Sequence, residues 1–139
     1  MKKTIETAWV GSKTFETTIG DHKIILDTTI ENGGQGKGPS PLPLLMSSYA
    51  GCMGIDIIAI LTKKGIIVND FKIITEGVIN DEDPHYYKEI NAIFQLKGKD
   101  IPISVVESAV ENSAEKYCGI SATLKKAVNI NTKVELINI

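Results

Sequence analysis

The stretch "LPLLMSSYAGCMGIDIIAILT" (residues 42–62) decides how this chain is read. It is almost wholly apolar, and as a helix it reaches about 30 Å, the thickness of a bilayer core. Pro43, Ser47, Ser48, Gly51, Gly54 and Asp56 interrupt it. An aspartate at the centre of a span costs about 2.5–3.5 kcal/mol on insertion scales. The flanking segments alternate as soluble strands do. The stretch is therefore read as a buried helix, and no membrane partner is expected. Ser40 suits the N-cap, Pro41 the first helical position and Gly65 the stop. Leu45, Ser48, Tyr49, Cys52, Asp56 and Ala59 share one face, and Leu44, Ile55, Ile57, Ile58 and Leu61 lie on the others. A helix that is apolar all round must be covered all round. One chain of 139 residues can hardly do so, and a second subunit is expected to cover part of it.

Before this helix the chain reads as three strands. Ile5, Thr7 and Trp9 alternate in "TIETAWVG" (residues 4–11), Phe15, Thr17 and Ile19 follow the turn, and Ile24, Leu26 and Thr28 follow Gly20-Asp21. "ENGGQGKGPSPLP" (residues 31–43), with four glycines and three prolines, reads as a mobile loop, either a plain connector or the rim of a site. Lys37 is followed by Gly38, so the phosphate-binding spacing is absent.

After the helix, Phe71, Ile73 and Thr75 form one strand face and Ile90, Ala92, Phe94 and Leu96 another, with the turn "NDEDPH" (residues 80–85) between them. "DIPISVVESAVENSAEKYCG" (residues 100–119) predicts a second helix. Asp100 suits its cap, Ile103, Val106, Val110, Ala114 and Tyr117 form its apolar stripe, and Gly119 ends it. "SATLKKA" (residues 121–127) is a short helical turn. In the last strand Val128, Ile130, Thr132, Val134 and Leu136 point inward. That pattern breaks at the end, so either the strand stops near Leu136 or Ile137 and Ile139 meet a partner chain. The order predicts one α+β domain, residues 1–139, with mostly antiparallel pairing.

The formal charge of −2 gives no reason to expect nucleic acid. "MKKTIETAWVGSKT" has no apolar block behind its lysines, so no secretory signal is expected and a reducing cytoplasm is. Two cysteines and two histidines, His22 and His85, show no zinc-ligand spacing, so neither metal nor cofactor is expected.

Cys52 and Cys118 carry the chemical question. Free cysteine packs as a small hydrophobe, and apolar burial makes its thiol inert. The alternative starts from the setting of each residue. Ser48, Tyr49 and Asp56 give the Cys52 face a polar strip, Gly51 and Gly54 flank the thiol, and Cys118 sits where a helix breaks. Such a pair suits a two-thiol redox cycle, in which one thiolate opens a peroxide bond and becomes a sulfenic acid. The second thiol condenses with it to a disulfide, and an external dithiol reopens the bond.

"GPSPLPLLMSSYAGCMGIDIIAIL" followed by "EKYCGISATLKK" resembles the OsmC/Ohr family, the osmotically inducible and organic-hydroperoxide-resistance proteins. The resemblance lies in Pro-x-x-x-Leu ahead of Gly-Cys and in the later Tyr-Cys-x-Ile-Ser, and the strand order fits across the chain. It implies an intertwined homodimer with antiparallel sheets wrapped around long central helices. It implies that Cys52 is the peroxidatic cysteine and Cys118 the resolving one, acting on organic hydroperoxides with an external dithiol as reductant. The chain departs from the pattern in two residues. In the best-studied members of that family the thiolate pairs with an arginine held by a glutamate, whereas all 15 basic residues here are lysines and the glutamate position falls near Leu42 or Pro43. Lys37 is the candidate cation. These departures motivate a second expectation, a non-catalytic protein of the same fold that binds a small apolar ligand or senses oxidation.

Overall fold

A computed structural model describes residues 1–139. The chain divides into two compact units, Met1–Leu45 and Met46–Ile139.

The first unit is a three-stranded antiparallel meander of β1 (Glu6–Trp9), β2 (Phe15–Ile19) and β3 (His22–Leu26). Its register puts Thr7 opposite Thr17 and Thr17 opposite Ile24, with Trp9, Phe15 and Leu26 in the next row. This is the expected alternation. Gly20, at φ 59°, opens the two-residue β2–β3 turn, a position that favours glycine.

The glycine-rich loop is tied down rather than mobile. The Asp27 carboxylate, 3 % exposed, accepts from the backbone N–H groups of Thr28 (2.8 Å), Lys37 (3.1 Å) and Gln35 (3.3 Å) and from the Thr14 hydroxyl (2.9 Å). Burial alone pushes this carboxyl up, but the four donors outweigh it and hold its pKa below the usual value. The loop packs so closely that a Cβ on Gly34 meets the Thr28 carbonyl, and one on Gly38 meets the Ile25 carbonyl. Composition points to mobility here because glycine and proline mark both flexible and tightly turned loops.

The second unit contains most of α1 (Pro41–Lys63), β4 (Asp70–Ile79), β5 (Tyr87–Gly98), α2 (Ile103–Asn112), α3 (Gly119–Leu124) and β6 (Asn129–Asn138). Its sheet has the order β4-β5-β6. β4 and β5 pair antiparallel as expected, but β6 runs parallel to β5. A parallel return needs a long crossover, which α2 and α3 supply.

α1 ends as the sequence predicts. Gly65 is left-handed at φ 72°, its N–H bonds Thr62 O, and Ile66 N–H bonds Leu61 O, which closes the helix with a Schellman motif. The row Tyr49, Met53, Ile57 and Leu61 is fully buried. It packs with Ala92, Phe94 and Leu96 of β5 and Val106, Ala109 and Val110 of α2. Each such apolar side chain contributes about 1.5–3 kcal/mol on burial. By length and composition α1 could cross a membrane, and this one row of it is seated in the core. The other faces stay open, with Ile55 74 % exposed and Leu45 and Ile58 also exposed.

Three local expectations need correction, and the open one at the end of β6 is resolved. Asp100 does not cap α2. It sits at φ 52° in the preceding bend, and Pro102 occupies the N-cap with no side-chain bond. Of the expected stripe, Val106 and Val110 are buried and Ala114 packs against the core, joined by Ala109 and by Ser113 of the following turn, whereas Ile103, at the first position of α2, and Tyr117 are exposed. The helix widens to a π-turn over Ser113–Tyr117, and the wider turn changes the phase for residues beyond Asn112. Gly119 does not end a helix but begins α3. β6 continues through Ile137, and Ile137 and Ile139 are both exposed.

Candidate functional site

Cys52, Asp56, Ser113 and Cys118 all belong to the second unit. Cys52 is half-buried on α1, and Asp56 follows one turn later on the same face, since residues four apart superpose along a helix. Cys118 lies at the junction of the π-turn and α3. Its backbone is extended (φ −75°, ψ 106°), which breaks the helix, and its N–H bonds Ser113 O at 2.8 Å. Its sulfur accepts from Ser121 N–H at 3.2 Å, taking the role a serine or aspartate oxygen plays at an N-cap.

The structure brings both predicted cysteines together. Cys52 Sγ, Cys118 Sγ and an Asp56 carboxylate oxygen all lie within 4.8 Å of one another. Both cysteines are free, so a bond between them requires their sulfurs to close from within 4.8 Å to about 2.05 Å. Ser113, fully buried, holds the carboxylate by donating from Oγ to Asp56 Oδ2 at 2.8 Å. Met53 Sδ is 3.3 Å from the same hydroxyl. One proton serves one strong acceptor, and the carboxylate takes it.

Burial and then the neighbouring Cys52 push the Cys118 thiol up to about 11. Cys118 is therefore a neutral thiol at pH 7. Tyr49 is pushed up to about 12, by burial first and by Cys118 second. Its hydroxyl is buried and has no hydrogen-bond partner.

Two openings flank the cluster. Tyr49 and Ser121 help line a cavity of about 980 Å³ bordered by α2 and β6, with Glu107, Glu111, Lys125 and Lys133 in its wall. Asp56 and Tyr117 help line another of about 770 Å³, together with Lys63 and Lys64.

The expected polar strip beside Cys52 is not continuous, because Ser48 is exposed while Tyr49 turns into the core. The sequence places Asp56 on the Cys52 face but assigns it no role. It offers no signal for Ser113, which enters the site only through the α1–α2 packing. The proposed cation, Lys37, belongs to the first unit, where its backbone N–H serves Asp27.

Residues 34–133 match the model of the OsmC-like protein family. The chain belongs to the OsmC family. Over 131 residues it is 36 % identical to protein YhfA of Escherichia coli K12, covering 93 % of this chain and 94 % of that one. Among solved structures of this OsmC fold, a hypothetical protein from Aquifex aeolicus superposes with a TM-score of 0.87 at 29 % identity, over 100 % of this chain and 98 % of that one. A Legionella pneumophila protein described as the organic hydroperoxide resistance protein OsmC has a TM-score of 0.70 at 20 % identity, over 97 % of both chains. That second likeness is one of fold. The α+β architecture expected from the sequence is thus the OsmC architecture.

Proposed function

We propose that this OsmC-family protein is a thiol-dependent peroxidase that reduces organic hydroperoxides through a Cys52–Cys118 cycle, in the cytoplasm and in defence against oxidative stress. The observation that carries the reading is the convergence of two cysteines, distant in sequence, to within 4.8 Å at a helix break. Structural relatives described as organic hydroperoxide resistance proteins, from Legionella pneumophila and Bacillus subtilis, support it. The Cys52 thiolate attacks the peroxide, and the O–O bond breaks. The leaving alkoxide takes a proton from solvent and departs as an alcohol, and Cys52 becomes a sulfenic acid. The Cys118 sulfur then attacks the Cys52 sulfur, the S–O bond breaks and water leaves. An external dithiol supplies two electrons by exchange and becomes the disulfide. A homodimer is part of this reading. Each unit offers it exposed apolar residues, Trp9 and Phe15 in the first and Ile55 and Ile58 in the second.

The test is consumption of cumene hydroperoxide by purified protein with dihydrolipoamide. Turnover is expected, Cys52→Ser abolishes it, and Cys118→Ser leaves a sulfenic acid that dimedone traps. No turnover with any dithiol overturns the reading.

The arrangement also favours a second reading, in which the protein binds an apolar ligand or senses oxidation without turnover. A carboxylate stands beside the thiols where the family resemblance implies a cation. An apolar recess of about 550 Å³, lined by Gly51, Gly54, Ile55, Ile58, Phe71 and Ile73, flanks α1. Co-purification of an apolar molecule, without peroxide consumption, supports this second reading.

A further inference from the structure

The same three groups also form a ligand set for a metal ion. Cys52 and Asp56 project from one face of α1 at a spacing of four residues, which presents two ligands to one point, as paired helical ligands do in zinc enzymes. Cys118 supplies a third from the junction of the π-turn and α3. All three ligand atoms lie within 4.8 Å of one another. Bond lengths of about 2.3 Å to sulfur and 2.0–2.2 Å to oxygen put such atoms roughly 3.4–3.8 Å apart. Binding therefore draws the three atoms inward from that limit.

Two further features point the same way. The Ser113 hydroxyl orients the Asp56 carboxylate, and the Ser121 N–H orients the Cys118 sulfur. Outer partners of this kind fix ligand direction in metal sites. The cavity of about 770 Å³ beside Asp56 gives a path from solvent, though Lys63 and Lys64 in its wall disfavour a cation's approach. Two thiolates and one carboxylate suit a borderline or soft divalent ion and are poor ligands for magnesium or calcium.

We propose that reduced Cys52, Cys118 and Asp56 bind one zinc or cadmium ion per chain, leaving a fourth position open. The two thiols lose their protons to solvent as the ion binds. The proposal does not depend on peroxidase turnover, although it uses the same sulfurs. Metal and disulfide exclude each other, so a bound ion shields the thiols from oxidation.

The test uses full-length reduced protein without oxygen. Cadmium is added and the thiolate-to-cadmium charge-transfer band is followed in the ultraviolet, while zinc affinity is read by competition with a chromophoric chelator. One equivalent per chain and a two-thiolate band are expected. Asp56→Asn lowers affinity by about tenfold or more, and Cys52→Ser halves the band. Circular dichroism confirms that each variant folds. No uptake, or equal affinity in folded Asp56→Asn and Cys52→Ser proteins, overturns the proposal. Peroxide consumption is measured separately on metal-free protein. Metal uptake without turnover removes only the peroxidase reading, and turnover without uptake removes only the metal site.

Discussion

Ser113 Oγ lies 2.8 Å from Asp56 Oδ2 across 57 positions of the chain, and this contact ties the π-turn after α2 to the thiol-bearing face of α1. Ser113 is fully buried, so its hydroxyl has no other route to solvation. Hydrogen bonds to charged groups contribute about 1.5–3 kcal/mol net. Ser113→Ala is expected to lower stability by about 1–3 kcal/mol, read as a fall in the urea midpoint at unchanged slope. A change below about 0.5 kcal/mol contradicts this role for the contact.

Tyr49→Phe is expected to go the other way. The ring fills the core, but the hydroxyl is buried without a partner. Burying an uncompensated hydroxyl costs about 1–3 kcal/mol in protein mutational data. Removing it is expected to leave stability unchanged or to raise it by roughly 1 kcal/mol in urea unfolding. A clear loss means that the hydroxyl is partnered in solution.

Asp27 makes the first unit sensitive to acid. Its pKa in the folded chain lies below the unfolded value, so its contribution is present above the unfolded pKa. That contribution is lost as pH falls through the lower folded value. Thermal melts from pH 6 to pH 2 are expected to show this loss. Asp27→Asn is expected to be less stable at neutral pH and to have a shallower acid limb, since its amide offers one acceptor oxygen to several donors. An unchanged acid limb in the variant rules out Asp27 as its source.

At the alkaline end the sign is the same for two groups in reduced, metal-free protein. Cys118 is raised to about 11 and Tyr49 to about 12. Folding disfavours the anion of each, so stability is unaffected below the unfolded pKa and falls as pH rises from there through the folded one. Stability is expected to fall between about pH 8.5 and 11 through Cys118, by roughly 1–3 kcal/mol. The tyrosine extends the fall. Cys118→Ala is expected to remove the lower part of the decline in urea midpoints measured across that range. A decline identical in both proteins assigns it elsewhere.

Much of this architecture is legible along the chain. Period-two alternation places β2, β3, β4 and β5, and Gly65 places the end of α1, because these signals act over a few neighbouring residues. The phase of α2 is not legible beyond Asn112. A π-turn is decided by what the helix packs against, and a stripe drawn through Tyr117 therefore fails. The direction of β6 is equally hidden, since a strand's pattern records which face is buried and not which way the chain returns.

At the site, residue type and the pairing of two motifs are enough to single out Cys52 and Cys118. The spacing of four residues puts Asp56 beside Cys52, because helix geometry is local. Folding alone decides that Cys118 reaches them, that Ser113 grips the carboxylate, that Tyr49 loses its hydrogen-bond partners and that the glycine-rich loop closes on Asp27. These outcomes depend on which distant segments exclude water from one another. That is a property of the packed chain, and no stretch of residues carries it alone.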